Sequence, residues 1–298
     1  MSANTGHAGI GLETTRHLAA NGARVYIAGR SEARVNEAIS KMQSLQSSLD
    51  VRFLKMDLQD LKTIKEAAAE FMQKETRLDI LVNNAGIMAS PFELTKDGYE
   101  NQWQTNFLAH HALSLSLIPL FQQTARLNNG RKASVRIVSV ASDMAFLVGP
   151  KNINYKDPNL MDLTGRLAPW KRYSHSKQAN IIGAKAINDH YQHLGITAYS
   201  LHPGIIKTNL QSHDTTILGS ITRVAMNVGP TFSTLDGSRN SLYCATSPKA
   251  ASEGGCYFVP FGKVDHKADK WLNDPDAVKQ LWDLAIRQLT KSGFEFQL

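Results

Sequence analysis

Short apolar segments alternate with longer amphipathic segments along most of this chain of 298 residues. The short segments are rich in Val, Ile and Leu and have the length of buried strands, and they cover residues 23–29, 51–56, 78–82, 135–140, 196–202 and 255–260. Strands that alternate with helices in this way form a parallel sheet with helices on both faces. We therefore predict an α/β fold built on a doubly wound parallel sheet.

The composition supports one folded domain and argues against several other classes of protein. Hydrophobic residues make up 42% of the chain and charged residues 20%, and neither a repeat nor a linker divides it, so we expect a single domain over residues 1–298. The net charge is +7, but Lys and Arg are scattered, which argues against nucleic-acid binding. No segment reaches the ~20 apolar residues of a membrane span, and we expect a cytoplasmic protein.

The cysteine and histidine patterns predict neither a disulfide framework nor a metal site. Cys244 and Cys256 are the two cysteines, and they do not form a Cys-x-x-Cys motif. The histidines are not clustered at metal-ligand spacing.

Tyr173 and Lys177 stand four residues apart in an Ala-containing segment without proline, which predicts a helix over residues 173–184. Side chains at positions i and i+4 share a helix face, so the Tyr173 hydroxyl and the Lys177 ammonium should lie side by side. A nearby cation favours phenolate and should lower the tyrosine pKa from about 10. The pair predicts an acid/base tyrosine, although this spacing also occurs often on solvated helix faces.

Glycines precede the first predicted helix. Gly6, Gly9 and Gly11 lie within residues 5–11, and a helical pattern follows directly. Glycines that open a helix let the backbone approach a pyrophosphate, whose charge is met by free N–H groups and the helix dipole. This arrangement favours a phosphate-binding loop over a flexible N-terminus, with contacts from Gly6, Gly9, Ile10 and Gly11.

Arg30 follows the predicted strand 23–29. In dinucleotide-binding folds an acidic residue at this point holds the ribose 2′-hydroxyl, whereas an arginine suits a 2′-phosphate. Arg30 therefore predicts that NADP(H) is preferred over NAD(H).

The strand 78–82 runs directly into Asn83, Asn84, Ala85 and Gly86. Small residues and amide groups at the carboxyl end of a parallel strand are well placed for a ligand, because open α/β sheets bind ligands at that edge. We expect Asn83, Ala85 and Gly86 to contact the cofactor.

With these motifs in view, residues 5–262 resemble the short-chain dehydrogenase/reductase family. Residues 9–13, the turn at Arg30, residues 83–88 and residues 173–180 are similar to the branch that contains retinol dehydrogenases and WW-domain oxidoreductase. The resemblance implies a Rossmann-like fold and an oxidoreductase that interconverts a carbonyl and an alcohol.

The resemblance also implies roles for single residues. Ser142 matches the catalytic serine, with Ala141 where the family often has another serine. Asn106 matches an asparagine that kinks its helix and holds a water in the proton relay; a buried capping asparagine is the alternative. Asp57 and Leu58 match residues that contact the adenine.

Further along the chain, the resemblance implies that Pro203, Gly204 and Ile205 contact the nicotinamide ring. Thr208 would contact its carboxamide or the phosphates. The segment of about 205–233 would form a lid over the substrate, which we expect to be small and apolar.

Two further segments have open interpretations. Thirty residues separate Ser142 from Tyr173, more than in many family members, and they either shape substrate access or form a surface loop. The C-terminal extension of about 263–298 carries Trp271 and Trp282, which favour a core or a dimer surface. A homodimer or homotetramer would be the assembly typical of the family.

The expected mechanism joins four residues. Ser142 and Tyr173 would hydrogen-bond the substrate carbonyl while the nicotinamide delivers hydride to its carbon. Tyr173 would supply the proton, Lys177 would lower the tyrosine pKa and bind the ribose, and Asn106 would complete the relay.

The N-terminus departs from this pattern. A first strand should precede the glycine loop, but four residues precede Thr5, fewer than the ~5 apolar residues expected of a buried strand. Thr5 and Gly6 are also followed by two residues before Gly9, where the family usually has three. The sequence thus predicts that the first strand is missing. Either the start is not the native one, or the chain is a catalytically inactive family member that acts as a scaffold or nucleotide sensor.

Overall fold

The computed structural model describes residues 1–206 and 232–296. Within these residues one sheet contains β1 (Ser2–Thr5), β2 (Val25–Gly29), β3 (Val51–Lys55), β4 (Ile80–Asn83), β5 (Val135–Val140), β6 (Ile196–Leu201), β7 (Tyr257–Val259) and β8 (Lys263–Val264). The strands lie in the order β3-β2-β1-β4-β5-β6-β7-β8, and neighbours are parallel except β7 and β8, which are antiparallel.

Ten α-helices are described in the same residues: α1 (Gly9–Ala20), α2 (Glu32–Leu45), α3 (Leu61–Lys74), α4 (Asn101–Trp103), α5 (Ala109–Ser116), α6 (Ile118–Leu127), α7 (Ala168–Tyr191), α8 (Thr234–Thr246), α9 (Asp269–Leu272) and α10 (Pro275–Lys291). A π-helical turn, Gln104–Leu108, joins α4 to α5. Short 3-10 helices cover Asp143–Phe146, Gln192–Leu194, Pro248–Ser252 and His266–Ala268.

The helices cover both faces of the sheet. The largest apolar cluster joins α3, α5, α7 and α10 to one face. Smaller clusters lie under α1 and α2 and under α8. The predicted doubly wound parallel α/β fold is therefore confirmed, and β5 has the predicted bounds.

The prediction that the first strand is missing is wrong. Ser2–Thr5 forms β1 in the middle of the sheet, where it pairs with β2 on one side and β4 on the other. The strand escaped prediction because it is short and contains small and polar residues in place of apolar ones. Ser2 and Asn4 are buried, and Asn4 Nδ2 donates to the Gly11 carbonyl at 2.5 Å and to Thr15 Oγ1 at 3.0 Å. Contacts with α1 thus take the place of an apolar side chain.

The C-terminal helices belong to the core of the domain. Trp271 and Trp282 are buried, and α10 packs along α7. Among the residues that the structure describes, no helix has the length and apolar character needed to cross a membrane. Thr208 and most of the predicted lid at 205–233 lie outside the described residues.

Candidate active site

Ser142 lies just past the carboxyl end of β5 and begins the 3-10 helix Asp143–Phe146 as its N-cap. Its Oγ accepts a hydrogen bond from the Met144 amide at 3.2 Å. The Ser142 hydroxyl lies close enough to the Tyr173 hydroxyl to lower the pKa of that phenol. Because the Met144 amide occupies an acceptor position, the Ser142 proton can be directed towards an oxygen in front of Tyr173.

Tyr173 and Lys177 lie on α7, and both side chains are buried. Lys177 Nζ lies 5.7 Å from the centre of the Tyr173 ring. It donates to the Val140 carbonyl at 2.8 Å, and Asn180 Nδ2 donates to the same carbonyl at 3.1 Å. The last carbonyl of β5 therefore fixes the ammonium group beside the tyrosine.

The pKa of Tyr173 does not move in the expected direction. Burial raises it to about 12, against the opposing effect of the neighbouring Ser142 hydroxyl. Burial also lowers the pKa of Lys177 to about 7. The expected lowering of the tyrosine pKa by Lys177 is thus corrected: desolvation, which penalises both charged forms, is the larger effect.

Asn106 lies in the π-helical turn Gln104–Leu108 and is fully buried. Its Oδ1 accepts from the Ile87 amide at 2.8 Å, and its Nδ2 donates to the Ile87 carbonyl at 2.9 Å and to Ser176 Oγ at 2.9 Å. Ser176 Oγ in turn donates to the Tyr173 carbonyl at 2.8 Å. Asn106 therefore lies at an irregular point of its helix and also fastens the loop after β4 to α7.

Gly86 allows the loop after β4 to approach the side chains of Asn106 and Lys177 closely. A Cβ atom at Gly86 would lie 2.9 Å from Asn106 Oδ1 and 3.4 Å from Lys177 Nζ. The absence of a side chain lets the backbone approach the amide and the ammonium groups. The structure thus brings Asn106, Ser142, Tyr173 and Lys177 together at the carboxyl edge of the sheet.

The glycine loop lies at the same edge, between β1 and α1. Gly6 and Gly9 have positive φ angles of 132° and 58°, which favour glycine. A Cβ atom at Gly11 would lie 2.5 Å from Asn84 Nδ2, so this position also has no room for a side chain. Sequence reasoning did not select Asn84, although it stands inside the motif after β4.

The N-terminus of α1 differs from those of α2, α3 and α10. Its N-cap is Ala8, and no side chain caps the helix. Ser31, Asp60 and Asp274 accept hydrogen bonds from the first-turn amides of α2, α3 and α10. The amides that open α1 are therefore suited to an anion supplied by a ligand.

Basic side chains gather where β2 and β3 end. Arg30 and Arg34 are exposed, and both lower the pKa of His7, although burial is the largest cause of that shift. Lys55 Nζ donates to the Arg30 carbonyl at 2.6 Å. Asp57 lies at the same edge, where its Oδ1 accepts from the Gln59 amide at 3.0 Å.

Two other predicted cofactor contacts have defined surroundings away from this basic group. Asn83 is buried, and its Nδ2 donates to Ser114 Oγ at 2.9 Å, so its side chain points into the fold between β4 and α5. Both residues line an internal cavity of about 10 Å³, close to the ~10–15 Å³ that one water needs. The Leu58 carbonyl accepts from Gln104 Nε2 at 3.3 Å.

After β6 the chain turns at Pro203 and Gly204. Gly204 has a φ of 98°, and a Cβ atom there would lie 2.5 Å from the Phe232 ring. Ile205 is exposed. These residues lie at the same sheet edge as Ser142, because β5 and β6 are parallel neighbours.

Comparisons with known proteins agree with this architecture. A family model described as short chain dehydrogenase matches residues 4–156. The chain is 36% identical over 294 residues to the short-chain dehydrogenase/reductase drtF of Aspergillus calidoustus, covering 96% of this chain and 92% of that protein. It is 34% identical over 294 residues to retinol dehydrogenase 12 of Mus musculus, covering 96% and 84% respectively.

Solved structures show the same fold. An uncharacterised protein from Mycobacterium paratuberculosis superposes with a TM-score of 0.72 at 28% identity and covers 100% of this chain and 94% of its own. An NADPH-bound carbonyl reductase from chicken fatty liver gives a TM-score of 0.62 at 23% identity, with 89% and 97% covered.

Proposed function

The chain belongs to the short-chain dehydrogenase/reductase family of oxidoreductases, and from that membership we propose that it interconverts a carbonyl and an alcohol with NADP(H). The observation that carries the proposal is the placement of the Ser142 and Tyr173 hydroxyls close to each other, with Lys177 held beside the tyrosine. Asn106 fixes the adjoining loop after β4. Two hydroxyl donors beside each other are the arrangement that polarises a carbonyl oxygen.

The residues around the glycine loop fit a dinucleotide. The positive φ angles of Gly6 and Gly9 keep the loop close to α1, and the opening amides of α1 have no side-chain cap. Ile10 and Gly11 lie in that first turn. These amides would hold the pyrophosphate, and the bound nicotinamide would supply or accept the hydride.

The preference for NADP(H) rests on charge. Arg30, Arg34 and Lys55 are exposed cations near one another at the ends of β2 and β3, with His7 beside the arginines. A 2′-phosphate adds nearly two negative charges, which arginine can bind bidentately. A 2′-hydroxyl would draw little benefit from the same cations.

Tyr173 is suited to donate a proton. With its pKa raised to about 12 by burial, the phenol is protonated at neutral pH, as an acid for carbonyl reduction must be. The Tyr173 and Ser142 hydroxyls would both donate to the carbonyl oxygen, and the tyrosine proton would pass to that oxygen as negative charge develops. Lys177, with a pKa near 7, can then return a proton towards the phenolate.

A small apolar carbonyl compound is the proposed substrate. Leu147, in the segment after Ser142, and Ile205, after β6, both expose large apolar side chains close in sequence to site residues. Phe261 follows β7 and is also exposed. Exposed apolar groups on the segments that follow β5, β6 and β7 favour an aldehyde or ketone with an apolar body.

Binding of NADPH and NADH to the purified 298-residue chain, followed by fluorescence titration, tests the cofactor assignment. We expect NADPH to bind at least about tenfold more tightly, since a charge-assisted contact contributes ~1.5–3 kcal/mol. Turnover is tested by following NADPH oxidation with a series of apolar aldehydes. Equal affinity for the two nucleotides would refute the preference, and tight binding without turnover of any carbonyl would refute the catalytic assignment.

A further inference from the structure

The segment between Ser142 and α7, residues 143–167, is called here the insert. Three buried side chains of α7, each within two helical turns of Tyr173, hold its backbone. Gln178 Nε2 donates to the carbonyls of Ala145 and Pro150 at 2.9 and 2.6 Å. The insert is therefore attached near its start to the helix that carries the catalytic tyrosine.

The later part of the insert is held in the same way. Arg172 donates to the carbonyls of Leu160 and Leu163 at 2.9 and 2.7 Å. The middle of the insert contacts His175, whose Nε2 accepts a hydrogen bond from the Asn154 amide at 3.0 Å. The attachments therefore extend along most of the insert.

His175 links the insert to another part of the site. An imidazole nitrogen that accepts a hydrogen bond is unprotonated, so the ring is neutral with its proton on Nδ1. The ring stacks on Trp103, with centres 4.9 Å apart and planes at 24°. Trp103 directly precedes the π-helical turn that carries Asn106. The buried side chain of His175, which belongs to α7, thus contacts both the insert and the end of α4 just before the π-helical turn of Asn106.

Close packing supports the same attachment. A Cβ atom at Gly149 would lie 2.1 Å from Ser174 Oγ and 3.3 Å from Gln178 Nε2. The insert backbone therefore lies directly against α7, one residue from Tyr173. No side chain fits between them without a shift of the insert.

The insert also contacts residues outside α7. Asn159 Oδ1 accepts from the Glu100 amide at 2.9 Å, and Trp271 Nε1 donates to the Lys151 carbonyl at 3.2 Å. The insert is thus fixed between α7 and two neighbouring segments. A surface loop without a role would not need this number of buried polar partners.

We propose that His175 is a positioning residue, which fixes the insert against α7 and thereby holds the wall of the substrate site beside Ser142 and Tyr173. The first turn of the insert supplies the Met144 amide that orients Ser142, so its placement bears directly on the carbonyl-binding hydroxyl. The effect on substrate rests on the function proposed above. The attachment itself does not.

Two substitutions separate the hydrogen bond of His175 from its ring stacking. His175→Phe keeps a ring against Trp103 but removes the acceptor, whereas His175→Gln keeps an acceptor and removes the ring. His193→Phe is the matched control, because His193 is exposed in the 3-10 helix that follows α7. All variants are compared by hydrogen exchange of insert amides, by NADPH affinity and by kinetics with propanal and decanal.

For His175→Phe we expect the Asn154 amide to exchange about tenfold faster, the change that loss of one hydrogen bond of ~1.4 kcal/mol produces. KM for decanal should rise about tenfold, with a smaller rise for propanal, since the longer chain contacts more of the wall. Affinity for NADPH should stay within about twofold. His175→Gln should restore most of the slow exchange, and His193→Phe should match the wild type.

Unchanged exchange in His175→Phe would overturn the proposal, as would equal losses for propanal and decanal accompanied by weaker NADPH binding. If the wild type reduces neither aldehyde, the proposed substrate class fails, and the exchange measurement still decides the attachment. If His175→Phe does not fold, Gly149→Ala tests the contact from the insert side. It should speed exchange across the insert because its Cβ would displace the backbone from Ser174.

Discussion

β1 and β5 are both interior strands of the same parallel sheet, but different interactions hold them. β5 buries six residues in a Val- and Ile-rich run, and α7 beside it buries most of its length. β1 has four residues, of which Ser2 and Asn4 are buried and polar. Ser2 Oγ and Asn4 Oδ1 have no hydrogen-bond partner in the described part of the chain.

This difference separates the two halves of the candidate site. Side-chain packing and hydrogen bonds around α7 fix the proposed catalytic residues several times over. The glycine loop depends instead on backbone geometry at Gly6 and Gly9 and on the close approach of Asn84. We call the residues around α7 the catalytic half and the glycine loop with β1 the nucleotide half. We expect the catalytic half to respond to protonation or substitution of buried side chains. The nucleotide half should respond to the charge of the ligand and to removal of buried polar atoms that lack a partner.

Acid should give the largest effect, and it should act on the catalytic half. Burial lowers the pKa of His110 to about 4 and those of His111 and His175 to about 3. The unfolded chain, with histidine pKa values near 6.5, binds these protons first. Stability from these groups is therefore complete above pH 6.5 and is lost as the pH falls towards 4, at about 1.4 kcal/mol per pH unit for each residue.

Urea unfolding between pH 7 and pH 5 measures this loss. The slope of the unfolding free energy against pH gives the number of protons taken up on unfolding. His111→Leu should reduce this number by about one, whereas His193→Gln at an exposed position should leave it unchanged. A flat stability profile over this range would contradict the distinction between the two halves.

Tyr173→Phe should abolish most turnover and leave nucleotide binding intact. Loss of a general acid lowers kcat by roughly 10²–10⁴. Tyr191→Phe, near the other end of α7, removes a second buried tyrosine hydroxyl and should keep kcat near the wild-type value. Steady-state kinetics together with NADPH titration checks both expectations, and weaker NADPH binding in Tyr173→Phe would show that the halves are not separable.

Arg30→Ala should weaken NADPH binding by roughly 10–100-fold, because one charge-assisted contact of ~1.5–3 kcal/mol is lost. NADH affinity should change little. Arg131→Ala, an exposed arginine on the loop before β5, serves as the control. A parallel loss for both nucleotides would mean that Arg30 supports the loop and does not recognise the 2′-phosphate.

Ser2→Ala should give the smallest effect, an increase in stability. Removing a buried hydroxyl without a partner relieves ~1 kcal/mol, or roughly 2–4 °C in Tm for a domain of this size. Thr124→Ala should destabilise the chain, because Thr124 Oγ1 accepts from the Leu78 amide and donates to the Leu120 carbonyl, both at 2.8 Å. Calorimetry of the two variants tests the contrast, and a lower Tm for Ser2→Ala would disprove the account of β1.

Local pattern was enough to predict the parallel sheet and the shared helix face of Tyr173 and Lys177, whereas the family resemblance selected Ser142 and Asn106. Local pattern failed at β1 because a central strand was expected to be apolar, and the contacts of Asn4 with α1 cannot be read from four residues. The hypothesis of a catalytically inactive family member that acts as a scaffold or nucleotide sensor rested on that missing strand and loses its basis. The two-residue spacing after Gly6 is accommodated by a loop of residues 6–8.

Other features depended on contacts between distant residues. The spacing of Tyr173 and Lys177 predicted their shared face but not the burial that dominates both pKa values. The motif at Asn83 did not reveal that its side chain turns inward to Ser114. Nor did α7 show an amphipathic pattern that would single out His175, since most of its residues are buried.

The uncapped start of α1 ties the lifetime of this protein to the supply of its proposed ligand. A dinucleotide that binds those amides binds the folded chain and not the unfolded one, so by mass action it adds ~2.7 kcal/mol of stability at a free concentration one hundred times Kd. A polar, short β1 leaves this region with less intrinsic stability of its own. Depletion of the nucleotide pool would then shorten the half-life of the polypeptide and also slow the reaction.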